Sequence, residues 1–284
     1  MRTPFPAILL SVVTITSCAA LGSQSSPSQQ PPDPNATTID QSSVTSLQLK
    51  IRHNDVEIAS ATGFVVERNN KPYLITNRHV VLACALDQNP TNVGGWICAN
   101  KIAILHNKLN RLGEWLWVTE NLFDEHNNKR WSEHPTLGAA ADLVALPLQH
   151  TDDVKFYSLD LETRKTDLVV GPADPVSIVG FPFGLATQGG LPVWKTGTVA
   201  SDLDINIGGS PVFLVDTTSR PGMSGSPVYA VRSGAYRASD GTLRTAMGGT
   251  MKKFLGVYSE QIQAAELGGV WKAEALMALY NSLP

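Results

Sequence analysis

Arg220-Pro221-Gly222-Met223-Ser224-Gly225-Ser226-Pro227 sets one serine between two glycines, with a second serine and a proline behind it. Gly222 and Gly225 permit backbone angles that a side chain would forbid, which suits a nucleophile on a tight turn. On such a turn the N–H groups of Gly222 and Ser224 converge on one point, where a developing oxyanion would sit. Gly/Ser/Pro clusters also mark ordinary turns, so the stretch needs answering residues elsewhere in the chain.

Two segments answer it. Thr62-Gly63-Phe64-Val65-Val66 and Tyr73-Leu74-Ile75-Thr76-Asn77-Arg78-His79-Val80-Val81 are β-prone runs around a polar tip, so they read as a hairpin with His79 just after its second strand. In Ala141-Asp142-Leu143-Val144-Ala145-Leu146-Pro147-Leu148 a lone aspartate opens an apolar strand. A carboxylate there needs a partner, and an imidazole N–H is a suitable one.

The order is therefore His79, Asp142, Ser224, which excludes the serine-hydrolase templates that run Ser-Asp-His or Asp-His-Ser. The three motifs, 76–80, 141–146 and 222–227, resemble those of the trypsin/chymotrypsin-like serine peptidases, especially the bacterial members. The resemblance implies an all-β chymotrypsin-like fold of two six-stranded-type β-barrels with a C-terminal α-helix, and no cofactor or metal. In the implied roles Ser224 is the nucleophile, His79 the general base and Asp142 its orienting acid, with Gly222 and Ser224 as the oxyanion hole. Asp152 and Asp153 are the competing acids, but they follow the strand instead of opening it. Ser226 is the competing nucleophile; in the family's register it is the small residue after Ser-Gly. His53, His106, His126, His134 and His150 lack comparable surroundings and read as surface or loop residues. Arg78 is bulky where the family often has a smaller residue, and is expected to point away from the site.

The same register makes Lys253-Phe254-Leu255-Gly256-Val257-Tyr258-Ser259-Glu260 the strand beside the specificity pocket. Ser259 would pair with substrate backbone and Thr218 would form the pocket floor, which implies a neutral, small-to-medium apolar preference unless Asp216 or Glu260 intrudes. Met223 stands where the family's salt-bridging acid precedes the serine, which speaks against activation by a freed N-terminus.

A chain of 284 residues accommodates two barrels of roughly 100 residues each. A net charge of −3 without a basic stripe argues against nucleic acid as a partner. Short β-prone runs recur at 47–51, 62–67, 72–77, 102–106, 114–118, 142–148, 176–180, 192–200, 211–215, 227–231 and 254–258. They divide into a first barrel at about 47–165 and a second at about 168–262, with a linker near 160–172. Val270, Ala273, Met277 and Tyr280 then recur at helical spacing and predict a helix over about 266–283, packed on the second barrel. The stretch 86–137 reads as an added hairpin and surface loop, with Trp96, Trp115, Trp117 and Trp131 in core packing.

At the other end, residues 1–18 have the charge and apolar stretch of a secretory signal, too short to span a bilayer comfortably. Ile15-Thr16-Ser17-Cys18 resembles a bacterial lipobox, which implies cleavage before Cys18, a lipid on its sulfur and an anchor in the bacterial membrane, the outer one if the cell has it; plain signal cleavage is the alternative. Residues 19–46 are rich in Ser, Gln, Pro and Thr and read as a disordered tether. Cys84 and Cys98 remain as a pair, expected to form a disulfide in an oxidising compartment, with two buried free thiols as the alternative. The expected protein is a secreted or lipid-anchored, periplasmic or cell-surface serine endopeptidase acting on proteins or peptides; the rival is a catalytically silent barrel that binds a partner or peptide.

Overall fold

The computed structural model describes residues 38–87, 94–111, 113–218, 220–262 and 265–284, without the side chains of 247, 248 and 261. Cys18, the signal and most of the expected tether therefore lie outside the described residues. The tether's expected end at 46 differs from the structure. A short helix, α1 (Gln41–Thr45), leads into strand β1 (Ser46–His53), and Ser42 through Ser46 are buried. Ser46 Oγ donates to Val179 O at 2.9 Å, Asn107 Nδ2 to Val44 O at 3.1 Å, and Trp194 Nε1 to Ser43 Oγ at 2.8 Å. Small polar residues with no apolar pattern fold here because they find hydrogen-bond partners on both halves of the protein.

The first half continues with β2 (Val56–Arg68), β3 (Lys71–Thr76), α2 (Arg78–Val81), β4 (Cys84–Leu86), β5 (Trp96–Cys98), β6 (Lys101–Lys108), β7 (Trp115–Asn121), β8 (Ser132–Glu133), β9 (Val144–Pro147) and β10 (Val154–Lys155). Asn69 and Asn70, both at positive φ, turn the β2–β3 hairpin tightly; asparagine tolerates that region better than most residues. An eight-stranded antiparallel sheet in the order β10-β6-β1-β2-β3-β9-β8, with β7 on β6, curls around Leu49, Ile51, Leu74, Ile102 and Leu146. The sheet is barrel-like, and its ladder is open.

The second half is a closed six-stranded barrel, β11 (Pro175–Gly180), β12 (Val193–Val199), β13 (Val212–Asp216), β14 (Pro227–Arg237), β15 (Leu243–Ile262) and β16 (Leu267–Lys272), closed in the order β11-β12-β13-β16-β15-β14. The sixth strand corrects the expected helix start. Leu267–Lys272 pairs with both β13 and β15, and only then does α3 (Ala273–Ser282) begin. Two glycines and a valine–tryptophan pair favour a strand over the first turn of a helix. Helix α3 also leans on the first half: Arg68 Nε donates to Leu283 O at 2.9 Å and Tyr280 Oη to Glu67 O at 3.0 Å. A third apolar cluster, with Phe64, Ile75, Leu143, Val257, Trp271, Leu276 and Leu279, joins the halves beneath the cleft.

The disulfide between Cys84 and Cys98 is present and ties β4 to β5. The hairpin expected within 86–137 is β6–β7, and it joins the first sheet through β1. Its tryptophans are not uniformly core. Trp131 is buried, whereas Trp96 is 67% and Trp117 42% exposed.

His106 on β6 is buried, edge-on to Phe156 at 5.5 Å between ring centroids. Burial pushes its imidazole down to about 4, against an opposing pull from the Glu120 carboxylate. An unfolded histidine titrates near 6.5, so below that pH the unfolded chain binds a proton that the folded one refuses. Stability is expected to fall by roughly 3 kcal/mol between about pH 6.5 and about pH 4 from this group, then level off. In urea unfolding, His106→Gln should lose that share of the acid dependence; an unchanged difference between the two pH values would refute it.

Candidate active site

His79 stands on the four-residue helix α2, whose N-cap Asn77 is buried and donates through Nδ2 to Asp142 O at 2.7 Å. Asp142, two residues ahead of β9, accepts on both oxygens. The His79 backbone N–H reaches Oδ1 at 2.8 Å, and Nδ1 of the ring lies 2.7 Å from Oδ2. An ionised carboxylate only accepts, so Nδ1 carries the proton and Nε2 is left as the free base. Ser259 Oγ donates to the same Oδ2. Three donors thus hold one carboxylate, and the ring orientation follows from it.

Ser224 sits on the turn before β14. Gly222 and Gly225 have φ of 97° and 84°, as the sequence requires. The turn is closed by Met223 N–H to Arg220 O at 3.2 Å and Ser226 N–H to Met223 O at 3.1 Å. It is fastened to β15 by Gly225 N–H to Tyr258 O, and to β2 by Thr62 N–H to Ser224 O, each 2.9 Å. Thr62 Oγ1 donates to Gly222 O at 2.7 Å and accepts from Phe181 N–H at 3.1 Å, while Thr76 Oγ1 donates to Thr62 O at 2.9 Å. Thr62 is therefore a positioning residue that motif reading passed over; its only sequence signal is its place before Gly63 in the first hairpin. Among the described residues the N–H groups of Gly222 and Ser224 have no acceptor.

The Ser224 hydroxyl donates to Ser259 O at 3.1 Å and not to His79. Ser259 thereby links Ser224 to Asp142, since its carbonyl accepts from Ser224 and its hydroxyl donates to Asp142; catalytic hydrogen bonds often form only with substrate bound.

The competitors fall away. Ser226 is fully buried, and a Cβ on Gly180 would lie 2.0 Å from its Oγ. Asp152 and Asp153 are exposed on the turn before β10, which Leu109 N–H and Asp153 O join to the end of β6. Arg78 does point away, to Glu133 at 3.2 Å. His53 meets Cys98 O, His150 the Glu120 carboxylate, and His126 is exposed; His134, expected at the surface, is buried like His106. Thr218 is exposed, a poor fit to a pocket floor. Asp216 is exposed in β13, where it pairs with Thr198 and Leu267.

A cleft of about 460 Å³ opens between the halves, lined by His79, Asp142 and Ser259 together with Ile207, Leu214, Ile262 and Trp271. Glu260 also lines it. Pairing of β14 with β15 stops at Pro227–Val257, whereas β16 continues alongside to Ile262. One backbone edge of 259–262 is thus open to an added strand. Among the described residues there is no cluster of metal-ligating side chains, and no helix is long and apolar enough to cross a membrane.

A family model described as "Trypsin-like peptidase domain" matches residues 61–236, which contain all three motifs. No curated protein matches the chain. Among solved structures it is similar to the serine endoprotease from Yersinia pestis (14% identity, TM-score 0.46), with 85% of this chain covered but 66% of that one, just under two thirds of its length. It is also similar to a protease from M. tuberculosis in its active form (16% identity, TM-score 0.43, 84% of this chain and 81% of that one). The third is the catalytically active tobacco etch virus protease complexed with product (14% identity, TM-score 0.44, 86% and 77%).

Proposed function

The chain belongs to the trypsin-like peptidase family, and we propose that it is a serine endopeptidase that cuts peptide bonds through Ser224, His79 and Asp142. The observation that carries this reading is the His79–Asp142 pair, joined at both ring and backbone and linked through Ser259 to a serine on a two-glycine turn. In the reaction, Ser224 Oγ bonds to the scissile carbonyl carbon as its proton passes to His79 Nε2. The carbonyl oxygen, now negative, takes the two free N–H groups of Gly222 and Ser224. His79 then gives the proton to the leaving amine as the C–N bond breaks, and water repeats the sequence on the acyl-enzyme. Asp142 keeps Nδ1 protonated and balances the imidazolium charge. The substrate strand adds to the open edge of 259–262, a mode in which main-chain hydrogen bonds supply affinity and alternate side chains supply selectivity.

The protein is proposed to act outside the cytoplasm, a reading the Cys84–Cys98 disulfide supports. Anchoring by lipid on Cys18 is proposed from the sequence alone. Incorporation of labelled palmitate into wild type but not Cys18→Ala would support it, and equal incorporation would remove it.

The direct test is labelling of residues 38–284 with a fluorophosphonate. Wild type should be labelled, and Ser224→Ala and His79→Ala should not. A well-folded wild type that stays unlabelled would leave a barrel that binds peptide without cutting it.

A further inference from the structure

Tyr258 lies directly behind the nucleophile. Its carbonyl accepts from Gly225 N–H and its N–H donates to Ser226 O, each at 2.9 Å. Side chains alternate along a strand. That of Ser259 turns to Asp142, so that of Tyr258 turns the other way, into the second barrel, where it is 1% exposed and packs with Met223, Leu255 and Val270. On the neighbouring strand Gly268 has no side chain, and the tyrosine ring has taken the space. A Cβ on Gly268 would lie 2.5 Å from Tyr258 Cε2 and 2.9 Å from its Oη.

A peptide laid along 259–262 alternates in the same way. The residue whose carbonyl meets Ser224 turns its side chain towards the barrel, between the nucleophile turn and the β15–β16 ladder. The residue before it turns towards the cleft beside His79. The cleft is open, at about 460 Å³. The barrel side holds the Tyr258 ring.

We propose that Tyr258 is a specificity-determining residue whose ring occupies the space for the substrate side chain next to the scissile bond, restricting that position to glycine, alanine or serine. This deepens the peptidase reading and rests on it. The sequence placed pocket size at Thr218, which is exposed; the buried determinant comes from the strand on the other side of the turn.

The test uses residues 38–284 and peptidyl diphenyl phosphonates that carry alanine, leucine or phenylalanine beside the phosphorus. Inactivation then reads side-chain fit directly, as Ser224 Oγ displaces phenoxide. Wild type should react with the alanine reagent about a hundredfold faster than with the phenylalanine reagent. Tyr258→Val should bring the two rates within about tenfold of one another while keeping its fluorophosphonate labelling. Should Tyr258→Val fail to fold, the wild-type ratio decides alone. Wild type that reacts as fast with phenylalanine, or a labelled Tyr258→Val with an unchanged ratio, overturns the inference. Wild type that no fluorophosphonate labels overturns the peptidase reading itself, a separate result.

Discussion

Ser224→Ala and His79→Ala are each expected to lower kcat by about 10⁶, and the double variant by no more. The three groups act as one unit, so once the first is removed there is no activated nucleophile left to lose. Asp142→Asn should cost about 10⁴, because an amide donates where the carboxylate accepts and so favours the wrong imidazole tautomer. Its effect should exceed that of a lost hydrogen bond alone, since Oδ1 and Oδ2 also fix the His79 backbone and Ser259. The check is single-turnover kinetics on a peptide ester or amide substrate. Losses that multiply in the double variant would mean that Ser224 and His79 work independently, contrary to the proposed mechanism.

Gly225→Ala should be among the most destabilising single changes in the domain, lowering stability by more than about 3 kcal/mol. Two costs combine. At φ of 84° an alanine is strained, and its Cβ would lie 2.0 Å from Thr62 O and 2.5 Å from Thr76 Oγ1. Thr62 O is backbone of the first half and already accepts from Thr76, so it has little room to give. Gly234→Ala is the control: φ of 76°, with nothing within 4 Å of the new Cβ. It should cost only the strain, about 1 kcal/mol. Thermal unfolding of both variants checks this, with an expected midpoint loss of about 10 °C for Gly225→Ala. Equal losses would mean that the close approach to Thr62 is not rigid.

The proposed site was legible because each of its residues lies in a short local motif: a histidine after a hairpin, an aspartate opening a strand, a serine between glycines. The strand runs were legible for the same reason, as short β-prone runs between turn signals. What escaped was non-local. Strand β16 hid because Val270, Ala273, Met277 and Tyr280 share helical spacing across its junction with α3. The docking of 41–46 hid because polar side chains carry no apolar pattern, and only their partners Val179 and Trp194, far along the chain, explain them. Thr62 hid because its hydroxyl bonds to Gly222, 160 residues along the chain.

Met223 precedes the nucleophile and is 1% exposed in the apolar core of the second barrel. A nucleophile turn anchored by an ion pair weakens with salt and titrates with its partners, whereas one anchored by dispersion and burial does neither. Because Met223 belongs to that core, the shape of the turn carrying Ser224 is set as the barrel packs. Salt that screens surface charges should accordingly leave this anchor intact.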